Sequence, residues 1–265
     1  TNGSAAITNL GWYPSEDSLE KALKIDSVTL LNDLVATAAA IPELDAEDVV
    51  VINEGEETPG GPIGVIAPGT GLGEAFLIWN GSCYTAFPSE GGHTDFPPLN
   101  PLETELLGHL WKTYNHVSSE RLASGLGIPN IFNFLKENGT AASPEWLEKE
   151  LEQADDPTPV IVNAAMGEDP PQICATTLEI FISILGAEAG NLAITLLSSG
   201  GIYLGGGIPP RILPALRSGS FMGSFLTKGR LRSFLEKVPV RVITHPETAL
   251  LGASIHGLEK LAKKD

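Results

Sequence analysis

The stretch VTLLNDLVATAAAIP, residues 28–42, joins a strand-like run to an alanine-rich run through an amide and a carboxylate. Residues 28–31 favour a strand, and the residues after Asp33 favour a helix. Asn32 and Asp33 then lie at a strand-to-helix turn, where α/β proteins place ligand-binding groups. The same two residue types are also good helix N-caps, so the stretch alone leaves both interpretations open.

The element order around this stretch predicts an α/β architecture. Helical patterns extend from Pro101 to about Ala154, and a long apolar helix is predicted from about Pro171 to Leu197. A last helix is predicted in residues 246–264. Four short β-like runs, predicted to form a small sheet with hairpins, and two later strands occupy residues 47–55, 62–69, 74–81, 82–89, 200–210 and 239–244.

Composition narrows the class of partner. The chain has 33 acidic and 16 basic residues, which argues against binding to nucleic acid or to an anionic membrane surface. Cys83 and Cys174 are too few for a disulfide framework and have no zinc-binding spacing, so we expect a reducing, cytoplasmic location. Glu179 and Glu188 interrupt the most apolar segment, which favours a buried helix over a membrane span.

A glycine-rich loop lies between two predicted strands in APGTGLGEAFLIW, residues 67–79. Glycines let backbone N–H groups approach a phosphate closely, and a threonine adds a hydroxyl donor. The spacing fits neither a Rossmann fingerprint nor a Walker loop, and an ordinary glycine hairpin is the alternative. The candidate phosphate contacts are Gly69, Thr70, Gly71 and Gly73.

The stretch PSEGGHTDF, residues 88–96, groups Glu90, His93 and Asp95 around two glycines. His93 and Asp95 could share one face of a strand and bind a metal, although no other cluster completes a coordination shell. Alternatively, Glu90 and His93 bind a polyhydroxy ligand for which the glycines leave room. A polar turn without a ligand is the third interpretation.

Two further stretches carry weaker signals. In HVSSERLASGLGIPNIF, residues 116–132, Glu120 precedes Ser124 and Gly125, but a glutamate beside an arginine is usually a solvated pair. In IYLGGGIPPRIL, residues 202–213, the glycines 205–207 follow a strand. They could admit a flat ligand or simply allow close helix packing.

The ordered motifs LLND, GTGLG, SEGGHTDF, SSERLASG and LGGGIPPRIL resemble the bacterial glucokinase family, of the hexokinase and actin-like ATPase clan. The resemblance covers nearly the whole chain, from ITNLGW near the start to ALLGASIH near the end. A second branch of sugar kinases combines a similar glutamate and histidine motif with a cysteine-rich zinc site. This chain has no such cysteine cluster.

The resemblance implies a two-lobed ATP- and Mg²⁺-dependent sugar kinase in which Asp33 is the general base for the glucose 6-hydroxyl. The small lobe would comprise residues 1–43 and 246–265, and the large lobe residues 44–245. The implied sugar ligands are Asn32, Asp33, Glu90, His93 and Glu120. The implied nucleotide contacts are Gly69, Thr70, Gly71, Gly73, Ser124, Gly125, Gly205, Gly206 and Gly207.

One departure from the family pattern concerns the start of the chain. The family's D-x-G-G-T-N phosphate hairpin does not occur in these 265 residues. We therefore expect an N-terminally truncated small lobe, weak glucose binding with negligible turnover by this chain alone, and an exposed sheet edge through which a homodimer could form. A non-catalytic sugar-binding regulator and a kinase for another hexose are the alternatives, and polyphosphate is an alternative donor to ATP.

Overall fold

The computed structural model describes residues 3–5 and 11–262, so most of the ITNLGW motif lies outside the described residues. Six strands form one mixed sheet in the order β1-β6-β5-β2-β3-β4. Strands β2, β5 and β6 are parallel to one another, whereas β1, β3 and β4 each pair antiparallel to a neighbour. The strands are β1 (Val49–Asn53), β2 (Ile63–Pro68), β3 (Leu72–Trp79), β4 (Tyr84–Ser89), β5 (Gly201–Leu204) and β6 (Val240–Ile243).

All six later strand predictions are confirmed, but their arrangement differs from a single set of hairpins. Strands β2, β3 and β4 form the predicted meander. Strand β1 instead crosses to the other edge of the sheet and pairs with β6.

The described residues also form eleven α-helices, and the helical regions predicted from the sequence are confirmed. They are α1 (Glu16–Leu23), α2 (Asp33–Ala40), α3 (Pro101–Leu110), α4 (Gly127–Glu137), α5 (Glu145–Gln153), α6 (Pro157–Ala165), α7 (Gln172–Leu196), α8 (Leu213–Leu216), α9 (Ser220–Phe225), α10 (Arg232–Leu235) and α11 (Thr248–Ala262).

Helices cover both faces of the sheet, giving three layers. On β5, Ile202 and Leu204 face the larger core around α7, whereas Tyr203 between them faces a smaller core that includes α2. This alternation follows from the period of two along a strand. Helix α7 is long and apolar enough to cross a membrane, but 16 of its 25 residues are buried within the protein, as expected of a core helix.

Helices α2 and α11 pack against each other beside the smaller core. Their backbones approach most closely at Gly252, where a side chain would overlap the carbonyl oxygen of Ala36. The two helices can pack at this distance only because residue 252 is a glycine. The amino-terminal end of α2, which carries Asp33, is held in place by this packing.

The strand predicted over residues 28–31 is not among the strands that the described residues form. Two of its backbone N–H groups donate to side chains of α1: Glu20 Oε1 accepts from the N–H of Val28 at 3.0 Å, and Glu16 Oε1 accepts from that of Leu30 at 2.9 Å. The apolar run is therefore held by two glutamates of a preceding helix, which the local pattern does not reveal.

Candidate active site

A cleft of about 460 Å³ opens where β2 and β5 end, beside the start of α2. Ligands of open α/β sheets bind in this location, outside the carboxyl ends of parallel strands. The cleft brings together nine of the fourteen site residues predicted from the sequence: Asp33, Gly69, Thr70, Gly71, Gly73, Glu90, His93, Glu120 and Gly206.

The two polar residues before α2 have separate roles. The Oδ1 atom of Asn32 accepts hydrogen bonds from the N–H groups of Leu34 and Val35, at 3.0 and 3.1 Å, so Asn32 is the N-cap. Asp33 is the first helical residue, lines the cleft and is exposed. Its Oδ1 atom accepts from the Leu34 N–H at 2.8 Å, which orients the carboxylate.

Glu120 is the most firmly held acidic group of the cleft. It lies on a 3₁₀ turn, Ser119–Arg121, and its side chain is 22% exposed. Its Oε2 atom accepts a 3.0 Å hydrogen bond from the N–H of Leu72, the first residue of β3. The neighbouring Arg121 does not pair with it but stacks on the ring of Tyr114, so the solvated-pair interpretation does not hold.

His93 lies between two glutamates. Its Nδ1 atom is 3.8 Å from Glu120 Oε1, and its Nε2 atom is 3.9 Å from Glu90 Oε2. The side chains of Glu90 and His93 are largely exposed, and both residues belong to a tight turn closed by the hydrogen bond from His93 N–H to the Glu90 carbonyl, 3.0 Å. The side chains of Glu90, His93 and Glu120 together form a row of polar groups along one side of the cleft, which we call the acidic wall.

The loop between β2 and β3 supplies backbone hydrogen-bond donors, in contrast to the carboxylate acceptors of the acidic wall. The N–H groups of Thr70 and Gly71 form no hydrogen bond to any described residue. A side chain at Gly71 would overlap the Glu120 carboxylate, and one at Gly73 would lie 2.7 Å from Leu34 Cδ2. The glycines therefore allow both the acidic wall and α2 to come close to this loop.

The other predicted nucleotide contacts do not line the cleft. Ser124 is buried, and its hydroxyl donates to the Glu120 carbonyl at 2.6 Å. The N–H of Gly125 donates to the Gly69 carbonyl at 2.7 Å, and this hydrogen bond holds the glycine loop against the segment after Ser124. Gly205 is buried and continues the sheet by donating to Ile66, whereas Gly207 is exposed beside Gly206.

The structure separates the two residues of the alternative metal site. Asp95 Oδ1 lies 3.0 Å from His116 Nε2. The backbone of Asp95 forms an isolated β-bridge with that of Ser118. His93 instead faces Glu90 and Glu120. Among the described residues no group of three or more His, Cys, Asp or Glu side chains could hold a metal ion.

Two buried carboxyl groups close to this wall were not predicted as site residues. Glu74 on β3 and Glu188 on α7 are 5% and 7% exposed. Burial, reinforced by the negative charge of Glu188, raises the pKa of Glu74 to about 8. The available signal was a glutamate inside the apolar run of β3, two residues after Leu72 and therefore on the same face of the strand.

Comparisons with known proteins identify the family and the fold. The family model described as glucokinase matches residues 1–260. A glucokinase of Nostoc punctiforme is 40% identical over 264 residues, covering 95% of this chain and 77% of that relative. The crystal structure of a glucokinase from an Antarctic psychrotroph superposes with a TM-score of 0.83 at 32% identity, over 97% of this chain and 76% of that one.

A more distant structure shares the fold alone. A ROK family glucokinase from Streptomyces griseus, in complex with glucose and AMPPNP, superposes with a TM-score of 0.59 at 21% identity. The match covers 91% of this chain and 70% of the other. The two comparisons together place the three-layer architecture among the sugar kinases of the actin-like ATPase fold.

Proposed function

This chain belongs to the glucokinase family, and we propose that its cleft holds glucose against Asp33 while the γ-phosphoryl group of ATP is transferred to the sugar 6-hydroxyl. Glucokinases are ATP-dependent hexose kinases. The observation that carries the proposal is the composition of the cleft. The exposed Asp33 carboxylate, the row formed by Glu90, His93 and Glu120, and a glycine loop with free N–H groups line the same 460 Å³ space.

Asp33 is the proposed general base. Phosphoryl transfer needs alignment and charge neutralisation more than covalent help, and a positioned carboxylate that accepts the hydroxyl proton completes the nucleophile. The hydrogen bond from Leu34 holds one Asp33 oxygen, so the other is available to the substrate. The proton then passes from the sugar hydroxyl to this oxygen as the new oxygen–phosphorus bond forms.

The acidic wall is the proposed sugar-binding surface. Sugar hydroxyls donate strong hydrogen bonds to carboxylates, and both Glu90 and Glu120 present such acceptors. Glu120 uses Oε2 for Leu72, which leaves Oε1 on the side of His93. His93 can then donate to, or accept from, a neighbouring hydroxyl. Asn32 is a proposed ligand only through its amide nitrogen, because its oxygen caps α2.

The glycine loop is the proposed phosphate site, with Gly206 on the side of β5. Free N–H groups at Thr70 and Gly71 suit phosphate oxygens. None of the described residues lining the cleft is Lys or Arg, so the protein supplies little positive charge against the phosphates. This supports a requirement for Mg²⁺, which is commonly held by the phosphates, water and few protein groups. The ion would neutralise charge on the transferred group.

The proposal extends to the lobes, the cellular location and the oligomeric state of the protein. We propose two lobes divided at residues 43 and 246, a cytoplasmic location, and a homodimer as the oligomer to test. The free thiols of Cys83 and Cys174 are compatible with a reducing compartment.

Glucose-dependent release of ADP by the full-length gene product, measured with Mg²⁺ and with EDTA, tests the proposed reaction. We expect turnover with glucose and Mg²⁺ and its loss with EDTA. Glucose binding without any ADP release would instead support a sugar-binding regulator. Parallel assays with mannose, fructose and polyphosphate rank the alternative substrates by kcat/KM.

A further inference from the structure

A second cavity, of about 260 Å³, lies directly behind the acidic wall, between β3, α7 and the loop after β4. The proposed reaction assigns no role to it. Two carboxyl groups, Glu74 and Glu188, line this cavity although each is more than nine-tenths buried. The Oε1 atom of Glu74 is fully buried and forms no hydrogen bond to any described residue.

Glu74 contacts the turn that carries Glu90 and His93. Its carboxyl group packs so tightly beneath Gly91 that any side chain at Gly91 would overlap Glu74 Oε2. The Gly91 N–H donates to Ser89 Oγ at 3.0 Å, and Ser89 is the residue paired with Glu74 across β3 and β4. The position of the turn therefore depends on where the Glu74 carboxyl group lies.

Glu188 supports the other part of the same wall. Its Oε2 atom accepts hydrogen bonds from Ser119 Oγ and from Asn191 Nδ2, both at 3.1 Å. Ser119 immediately precedes Glu120, and its N–H donates to the Thr94 carbonyl at 3.0 Å, which joins the two turns. The hydroxyl and amide donors stabilise charge on Glu188, whereas Glu74 has no such donor.

A buried carboxylate without donors is costly, so Glu74 is retained as a neutral acid. We propose that Glu74 is a positioning residue for glucose binding, and that the turns bearing Glu90, His93 and Glu120 keep their binding geometry only while Glu74 is protonated. This inference rests on the proposed sugar site.

Ionisation would change the position of Glu74, because a charged carboxylate beside Glu188 is driven towards water. Gly91 and Asp95 line the same cavity as Glu74, so a displaced carboxylate would press on the turn that contains Gly91. Other charged and titratable groups also face this region. They are Glu188 on α7, Asp95 with its partner His116, Glu90 and His93 on the turn, Glu120 on the adjoining turn, and Lys228, whose charge interacts with Glu188 from below.

The sign of the pH effect follows from the protonated state being the binding-competent one. Because burial raises the pKa of Glu74 to about 8, most molecules are competent at pH 7 and few at pH 9. The apparent Kd for glucose equals the intrinsic Kd divided by the competent fraction, so it should rise about tenfold over this interval. By linkage, glucose binding near pH 8 should also take up protons.

Calorimetric titration of glucose into the full-length gene product at pH 7, 8 and 9 tests the proposal, with several buffers to measure proton uptake. Glu74→Gln, which is neutral at every pH, should bind glucose with a Kd that is flat over the same interval. Glu188→Gln, which removes the like charge, should move the loss of affinity to lower pH. Proton uptake should disappear in Glu74→Gln, whereas in Glu188→Gln it should move to lower pH together with the loss of affinity.

A wild-type Kd that does not change between pH 7 and 9 would overturn the role of Glu74 while leaving the sugar site intact. The same pH dependence in wild type and Glu74→Gln would also overturn it. Absence of glucose binding at pH 7 would refute the proposed sugar site and this inference with it.

Discussion

Gly71→Ala should weaken glucose binding indirectly, by displacing the Glu120 carboxylate. A Cβ atom at this position would overlap Glu120 Oε2, the oxygen that accepts from the Leu72 N–H. The φ of Gly71 does not lie in the left-handed region, so alanine imposes no backbone strain there. The overlapping atom is the end of a flexible side chain. We therefore expect a folded protein in which the Glu120 carboxylate has moved out of position.

The expected loss of glucose-binding free energy is that of the hydrogen bond between a sugar hydroxyl and the Glu120 carboxylate. A hydrogen bond to a charged group contributes about 1.5–3 kcal/mol, which corresponds to a rise in glucose Kd of about 10- to 150-fold. Isothermal titration calorimetry measures it. Gly69→Ala is the matched control, because a Cβ there meets no atom within 4 Å. It should leave glucose affinity unchanged while weakening ATP binding.

A double-mutant cycle decides whether Glu120 carries the effect. In a Glu120→Ala background there is no carboxylate to displace, so Gly71→Ala should add little further loss. Additive losses would refute this reasoning, as would unchanged glucose affinity in Gly71→Ala. Circular dichroism of each variant checks that the fold is retained.

Two other predictions concern the sugar wall and the support of α2. Glu120→Gln should cost about 1.5–3 kcal/mol of glucose binding, and Glu90→Gln less because its side chain is 90% exposed; equal losses in calorimetry would contradict this ranking. Gly252→Ala should lower stability by about 1–3 kcal/mol, because its side chain overlaps the Ala36 carbonyl. Gly257→Ala, which meets no atom within 4 Å, is the control, and equal thermal midpoints in the two variants would refute the packing argument.

Much of the fold could be predicted because most elements carry a strong local pattern. The apolar runs of β2 and β5 and the long apolar α7 are bounded by glycine or proline, which marks where each element ends. The segment at residues 28–31 has the same local pattern as a strand. Its backbone partners, Glu16 and Glu20, come from a helix earlier in the chain, and no local signal shows such contacts.

Residues of the glycine-rich turns, such as Glu90 and Gly71, line the cleft, whereas Ser124 lies outside it. A serine beside a glycine is found both in cleft linings and behind them, so the sequence does not distinguish the two positions. Glu74 was missed since the sequence gives the strand but not the helix that faces it. The partner charge, Glu188, lies 114 positions later in the chain.

The central claim is that Asp33 is the base of a glucokinase reaction, and one variant tests it most directly. Asp33→Asn retains the shape and the hydrogen bond from Leu34 but removes the group that accepts the proton. Steady-state ADP release by the full-length gene product should show kcat lowered by about 10²- to 10⁴-fold, with glucose Kd changed far less. A kcat close to that of the wild type would contradict the account.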